Sequence, residues 1–154
     1  RRRIDIPGYK LIEVHPATRF IATMNYGYEG TRELNEALLS RFVIIKMPLI
    51  SKERLKALIK KEYPKMKEEY VNSLAEFFYD LKLKSDAGEI SRNAPDLRGI
   101  FDAIDLVKED LSLNSSLKLT LSNKLFDPYE EEILEDLIRT SFEENLFFKD
   151  IFSE

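Results

Sequence analysis

The sequence contains no cysteine, no tryptophan and only one histidine, His15. Without cysteine the chain can form neither a disulfide nor a thiolate metal site, which fits a reducing compartment such as the cytoplasm. A single histidine also disfavours a metal centre built on imidazole ligands. We therefore expect no metal site, and a cytoplasmic location.

Long apolar runs and an excess of positive charge are absent as well. No apolar stretch approaches the roughly 20 residues that span a bilayer, and no signal-peptide pattern opens the chain. The net charge is −4, from 24 basic and 28 acidic residues, whereas a sequence-independent grip on nucleic acid needs a basic face. We expect neither a membrane nor a nucleic acid as a partner.

The 154 residues, 44% of them hydrophobic and 34% charged, are enough for one domain or a split pair of small ones. The chain opens at Arg1 without a methionine, which suggests a piece of a longer protein. Its pattern changes near residue 50, from strand character with glycine and proline to helical periodicity. The predicted fold class is therefore mixed α and β, mainly α, with regions 1–50 and 51–154.

Region 1–50 is predicted to contain a hairpin, a strand, a helix and a second strand. The Pro7-Gly8 pair favours a turn between the two strands of the hairpin. The mostly apolar run that follows is typical of a strand buried on both faces. In chain order the predictions are hairpin strands Ile4–Ile6 and Leu11–Val14, a strand Arg19–Met24, a helix Thr31–Ser40 capped by Thr31, and a strand Val43–Met47.

Region 51–154 is predicted to be a small helical bundle. Ser51 is a candidate N-cap, and apolar residues recur at spacings of three and four up to Phe142. The clearest amphipathic helix runs from Leu97 to Leu111. Around Leu117, Leu119 and Leu121 the spacing also allows a strand. The apolar tail from Leu146 to Phe152 is expected to pack on the bundle.

Two polar residues in region 1–50 are candidates for chemistry. Asn25 directly follows a predicted buried strand, at the sheet edge where ligands of α/β proteins bind, so its amide could orient a water or contact a phosphate. The alternative is an Asx-turn that begins the loop. Arg41 ends the predicted helix, where it could project from the domain edge or simply interact with the helix macrodipole.

The run FIATMNYGYEGTRELNEALLSRF, Phe20 to Phe42, resembles the AAA+ ATPases, most closely their MoxR-like and dynein-related branch. The resemblance implies that Asn25 is the sensor 1 residue, which positions the attacking water at the γ-phosphate. It also implies that Arg41 is the arginine finger, which reaches the nucleotide of a neighbouring subunit. In GTPases an arginine supplied in trans is worth about 10³ to 10⁵ in rate.

The helical region resembles the lid domain of the same family. Such lids carry a sensor 2 arginine near the start of their third helix, and Arg98, in Ala94-Pro95-Asp96-Leu97-Arg98, matches it, with Pro95 expected in the first turn. Arg92 is the competing candidate, and a solvated arginine at a helix start is the alternative for either. The hairpin resembles the one that this branch directs at the ring channel, with Tyr9 near its tip; local packing is equally open.

Two family motifs are missing from the sequence. It contains neither the phosphate-binding G-x-x-x-x-G-K-[ST] nor a hydrophobic strand ending in Asp-Glu. The resemblance therefore implies the carboxy-terminal piece of a P-loop α/β core in residues 1–50, followed by an all-helical lid in residues 51–154. Such a fragment should neither bind ATP well nor hydrolyse it alone.

The parent protein implied by the resemblance hydrolyses ATP with Mg²⁺ in a ring, commonly a hexamer, and remodels or matures a partner in the manner of a chaperone. In this branch the partner can carry a von Willebrand factor A domain. The alternative function is a non-catalytic helical interaction module derived from such a lid.

Overall fold

A computed structural model describes residues 3–24 and 35–153. The chain divides into two compact units, Arg1–Ile44 and Ile45–Glu154, close to the predicted change near residue 50. The described residues are mainly helical with one small antiparallel sheet. The elements are β1 (Arg3–Ile4), β2 (Ile12–Glu13), α1 (Glu36–Leu39), α2 (Lys52–Glu62), α3 (Glu68–Asp86), α4 (Leu97–Lys108), α5 (Leu113–Thr120), a 3-10 turn η1 (Ser122–Lys124), α6 (Pro128–Ser141) and α7 (Phe148–Ile151).

The first unit contains the predicted hairpin. Strands β1 and β2 pair antiparallel, with Arg3 opposite Glu13 and Ile4 opposite Ile12. A 3.2 Å ion pair links Arg3 and Glu13 across the strands. The turn includes Gly8 at a φ of 86°, a backbone conformation that residues other than glycine adopt only at a cost in free energy. The hairpin is confirmed, with strands shorter than predicted.

The two predicted core strands are not formed. Residues 19–24 and 43–47 lie outside regular secondary structure. The predictions of strands at Arg19–Met24 and Val43–Met47 are therefore wrong. Ile21 is 92% exposed and Val43 91% exposed, although Arg19–Met24 was expected to be buried on both faces. The physical reason is pairing: a strand needs a neighbour for its ladder of hydrogen bonds, and within the described ranges only β1 and β2 pair as strands of a sheet.

The predicted helix Thr31–Ser40 corresponds to the shorter α1. Thr31, its predicted cap, lies outside the described residues. The observed cap is Asn35, whose side-chain oxygen accepts a hydrogen bond from the backbone N–H of Ala37 at 2.8 Å. An asparagine satisfies a free N–H at a helix start as well as a threonine does, which explains why α1 can begin at this later position.

The second unit contains the predicted helical bundle. Ser51 caps α2 as predicted, by accepting a 3.3 Å hydrogen bond from the N–H of Arg54. Helix α3 is the longest, and it packs against α2, α4 and α6. All buried apolar side chains of the described residues lie between Leu55 and Phe152. The largest include Leu55, Ile59, Leu74, Phe77, Leu81, Ile100, Ile104, Leu117 and Leu134.

Residues 113–120 form a helix, which excludes the strand alternative. Helix α5 begins after Ser112, whose hydroxyl accepts a 3.3 Å hydrogen bond from the N–H of Ser115. Leu113, Ser116, Leu117 and Thr120 are buried, whereas Leu119 is exposed. Spacings of three and four place the buried residues on one helical face, whereas a strand would bury alternate residues.

The apolar tail packs on the bundle, as predicted. Phe152 forms a β-bridge with Met66 in the turn between α2 and α3. The N–H of Lys67 donates to the carbonyl of Ile151 at 2.9 Å, and that of Ser153 donates to the carbonyl of Lys65 at 2.8 Å. Backbone bonds and buried apolar side chains together hold the tail against the α2–α3 turn.

Candidate functional site

Arg98 lies at the start of α4, the third helix of the bundle. Asp96 is the N-cap, and its Oδ1 accepts a 3.0 Å hydrogen bond from the N–H of Arg98. Arg98 is therefore the second residue of the helix, and its side chain is exposed. Pro95 precedes the cap, so its predicted position in the first turn is wrong: the side chain of Asp96 caps the helix one residue after it.

Gly99 brings the first turn of α4 into close contact with the end of α5. A Cβ at this position would stand 2.5 Å from Cδ2 of Leu121 and 2.9 Å from the carbonyl oxygen of Thr120. Both distances are well below ordinary van der Waals contact. The absence of a side chain at Gly99 therefore permits the packing that fixes where Arg98 stands on the bundle surface.

Asp96 also ties the start of α4 to η1 through Lys124. The ammonium of Lys124 donates to Oδ2 of Asp96 at 2.9 Å. Partial burial disfavours the charged carboxylate, but the ammonium of Lys124 and the backbone N–H groups of Gly99 and Arg98 outweigh it, and the pKa of Asp96 is lowered. The carboxylate is thus held ionised beside Arg98.

A cavity of about 350 Å³ opens beside the carboxyl end of α3. Lys82 and Asp86 form an ion pair at 3.0 Å across one turn of that helix. The Ser85 hydroxyl donates to the carbonyl of Ser91 at 3.3 Å. The lining residues are Leu49, Lys82, Ser85, Asp86, Arg92 and Pro95.

The lining has two cations, one carboxylate and a hydroxyl group, and one of the cations, Lys82, pairs with the carboxylate of Asp86. Arg92 contributes a guanidinium, whose planar shape suits phosphate and carboxylate geometry. Leu49 and Pro95 add apolar surface. The Tyr79 hydroxyl bonds the carbonyl of Ile50, which holds the segment carrying Leu49 against α3.

Arg41 closes the end of α1. Its Nη1 donates a 2.7 Å hydrogen bond to the carbonyl of Ala37, one of the carbonyls at the end of α1. The side chain is exposed. This contact is the one that the macrodipole alternative describes. It leaves the finger role a prediction, since a surface hydrogen bond is readily exchanged.

Two of the predicted site residues lie close in the chain, at the start of α4. Arg92 and Arg98 stand on either side of the short segment that leads into α4, and Arg92, but not Arg98, lines the cavity. Arg41 belongs to the first unit, and Asn25 lies outside the described residues. Sequence reasoning missed Lys82, Ser85 and Asp86; their spacing of three and four on α3 was the available signal.

The described part of the chain holds neither a cluster of metal ligands nor a candidate membrane span. In residues 3–24 and 35–153 no three His, Asp or Glu side chains are grouped so that they could hold a metal ion. None of the helices described is both long and apolar enough to cross a bilayer.

The chain is similar to uncharacterized proteins of staphylococci. It is 32% identical over 143 residues to one from Staphylococcus haemolyticus (strain JCSC1435), and the aligned region covers 92% of this chain and 54% of the relative. Relatives from Staphylococcus aureus strains NCTC 8325 / PS 47 and COL match over the same length with the same identity and coverage. The chain thus spans about half the length of the curated relatives it matches. No protein-family model and no solved structure matches it.

Proposed function

We propose that this chain is the second half of an AAA+ ATPase module of the MoxR-like type. Residues 1–50 supply the end of the α/β core, with Asn25 as sensor 1 and Arg41 as the arginine finger. Residues 51–154 form the lid, with Arg98 as sensor 2. The longer protein hydrolyses ATP with Mg²⁺ in a cytoplasmic ring, commonly hexameric in this family. It remodels or matures a partner, such as a protein with a von Willebrand factor A domain.

The observation that carries the proposal is the position of Arg98. It is the second residue of the third bundle helix, where a lid of this family places its sensor 2 arginine. The side chain is exposed. Its backbone position is fixed by the Asp96 cap and by the close contact at Gly99. Because the Arg98 guanidinium faces solvent and is not buried by its own domain, it can contact a phosphate directly.

The cavity beside α3 offers polar and apolar groups near the same helix start. Lys82, Ser85, Asp86 and Arg92 contribute the polar groups, and Leu49 and Pro95 contribute apolar surface. A nucleotide matches such a lining, because its base has apolar faces and its phosphates suit the planar guanidinium of Arg92. Arg92 remains the alternative sensor 2 residue for this reason.

Exposed apolar residues in the runs 19–24 and 43–47 also support the proposal. Ile21, Val43, Ile45 and Met47 are each at least 77% exposed, although their runs have the composition of buried strands. Apolar exposure on this scale usually marks a surface that another element covers. In the proposed parent, neighbouring core strands pair with both runs and bury them.

The test uses the full-length protein that contains this chain. We expect it to hydrolyse ATP and to carry a P-loop lysine and an Asp-Glu pair outside residues 1–154. Arg41→Ala should abolish turnover and leave ATP binding nearly intact, because the finger acts on the neighbour's nucleotide. Lys149→Ala, at an exposed position outside every candidate site, is the matched control and should keep activity.

Mixing two inactive variants tests whether the finger acts in trans. Subunits with Arg41→Ala and subunits lacking the P-loop lysine should regain activity together, since some interfaces then combine an intact P-loop with an intact Arg41. No recovery on mixing would contradict the assignment of Arg41.

The second candidate is a non-catalytic helical interaction module derived from such a lid. It is favoured by the bundle's own core, which the described residues between Leu55 and Phe152 complete among themselves. A full-length protein that lacks the P-loop lysine and the Asp-Glu pair, and that does not turn over ATP, would establish this alternative and exclude the ATPase.

A further inference from the structure

A stripe of two aromatic and two acidic side chains faces solvent on α6 and on the segment just before it. Phe126 is fully exposed and Tyr129 is 67% exposed. Tyr129, Glu132 and Asp136 follow at helical spacings of three and four, and all three are exposed. We call Phe126, Tyr129, Glu132 and Asp136 the aromatic-acidic stripe.

The aromatic end of this stripe is held in place. Leu125 packs on the core, and its N–H donates to the carbonyl of Ser122 at 2.9 Å. The side chain of Asp127 caps α6 by accepting from the N–H of Tyr129 at 2.9 Å, and Pro128 opens the helix. The backbone on both sides of Phe126 is thus fixed, and its ring stands in solvent, where an aromatic side chain can serve as an interface anchor.

A complementary stripe lies on α2 of the same bundle. Arg54, Ala57 and Lys61 are exposed at spacings of three and four, and Lys65 is exposed just beyond the helix. Within the described ranges these three cations form no ion pair, whereas Lys52 and Lys60 of α2 pair with Glu76 and Glu68. We call Arg54, Ala57, Lys61 and Lys65 the basic stripe.

The two stripes are complementary in charge: Glu132 forms no ion pair within the described ranges, whereas Asp136 pairs with Arg139 of its own helix. The small side chain of Ala57 leaves space between Arg54 and Lys61. An aromatic ring can lie there with a guanidinium or ammonium over its face. Glu132 can then face Lys61 or Lys65. In one copy α2 and α6 both pack on α3 and turn these stripes to solvent, so only a second copy can join them.

We propose that the aromatic-acidic stripe of one copy docks on the basic stripe of a second copy. The contact joins different surfaces, so each pair keeps one stripe of each kind free and assembly can continue head to tail. The inference uses only α2, α6 and the residues beside them. It therefore does not depend on the proposed ATPase activity, and it can fail while that activity is found.

The lack of native cysteine makes cross-linking a direct test on the 154-residue chain. Lys61→Cys and Glu132→Cys chains, mixed and oxidised, should form a covalent dimer of one chain of each kind. The control replaces Glu132→Cys by Asp80→Cys, an exposed position on α3 outside both stripes. Equal yields with the two partners would overturn the proposal.

Charge exchange gives a second measurement that does not depend on thiols. Lys61→Glu alone and Glu132→Lys alone should each weaken self-association about tenfold in sedimentation, because like charges then meet. Mixing the two variants should restore association, since the glutamate introduced on α2 of one chain faces the lysine introduced on α6 of the other. Lys149→Glu makes the same charge change outside both stripes and should leave association unchanged.

Salt distinguishes this contact from non-specific adhesion by the exposed apolar residues of the runs 19–24 and 43–47. The proposed contact should weaken in about 0.5 M salt, which screens exposed charges, whereas apolar adhesion should not. Association that is equal in wild type, Lys61→Glu and Glu132→Lys would show adhesion only and would overturn the proposal.

Discussion

Gly99 and Leu121 approach each other so closely that a methyl group on Gly99 would stand 2.5 Å from Cδ2 of Leu121. The contact joins the first turn of α4 to the residue that ends α5. Gly99 directly follows Arg98 in the chain. The close packing of Gly99 therefore sets the position of Arg98, a candidate phosphate-binding residue. Substitution at Gly99 therefore tests both the stability and the geometry of the site.

Gly99→Ala should destabilise the bundle. In an exposed helix interior this change stabilises by about 1 kcal/mol, but here overpacking against Leu121 and the Thr120 carbonyl should cost about 1–3 kcal/mol. Urea unfolding followed by circular dichroism measures the difference. Leu121 is buried, so Leu121→Ala is destabilising by itself, and the cost of Gly99→Ala is measured again in that background. It should change little, because the backbone carbonyl stays in place; a cost that disappears would show that only the leucine side chain clashes.

Tyr63→Phe should destabilise the bundle by about 0.5–1.5 kcal/mol in urea unfolding, the worth of a typical hydrogen bond. The Tyr63 hydroxyl lies 3.1 Å from Oδ1 of Asp105 and 3.2 Å from the carbonyl of Phe101, and so links the end of α2 to α4. Asp105→Asn is the companion variant: it keeps an acceptor and should cost less. A larger loss in Asp105→Asn would contradict this account.

The same tyrosine should make stability fall at alkaline pH. Burial, together with the carboxylate of Asp105, raises the pKa of Tyr63 above its usual value of 10. Above pH 10 the unfolded chain releases this proton first, so the stabilisation is full below that pH and is lost as the pH rises toward the folded value. The stability of wild type should fall more steeply above about pH 10 than that of Tyr63→Phe, and equal slopes would exclude this role.

Asp96→Asn should reduce the loss of stability in acid. The lowered pKa of Asp96 means that its contribution is present above the unfolded value, about 4, and is lost as the pH falls through the folded value. Asparagine keeps the N-cap but not the ion pair with Lys124, so the cost at pH 7 should stay below about 1 kcal/mol. Lys124→Met, which retains Asp96, should also flatten the acid limb of a stability profile.

Arg98→Ala and Arg92→Ala in the full-length protein should separate the two candidates for sensor 2. Loss of the arginine that contacts the nucleotide should weaken binding of a fluorescent ATP analogue by about tenfold or more, the worth of one charge-assisted hydrogen bond. Loss of the other should leave binding within about twofold. If neither substitution changes nucleotide binding, the lid arginines play no part in it.

Several elements could be predicted because their signals are local. Ser51 caps α2 through its own hydroxyl, and the Pro7-Gly8 turn produced the predicted hairpin. The apolar spacing of α4 was equally direct. The predicted position of Pro95 in the first turn was wrong. Helix α4 begins after Asp96, because the side chain of Asp96 accepts from the first free N–H groups.

Other elements could not be read from the chain because they depend on distant partners. The runs at 19–24 and 43–47 have strand composition, yet a strand exists only beside another strand. The cavity joins Lys82 and Asp86 of α3 to Arg92, which no single sequence motif connects. The ambiguous leucines around Leu119 became a helix because one face of α5 found a core to pack against.

The sequence by itself determined the helical second region, the hairpin, and the motif run that ends at Arg41 and Phe42. Each of these rests on periodicity, turn chemistry or residue order within a short segment. Only the tertiary structure decided that Gly99 must lack a side chain, that the tail closes on Met66, and that Arg92 rather than Arg98 lines the cavity. These depend on contacts between residues far apart in the chain, and such contacts exist only once the helices have packed.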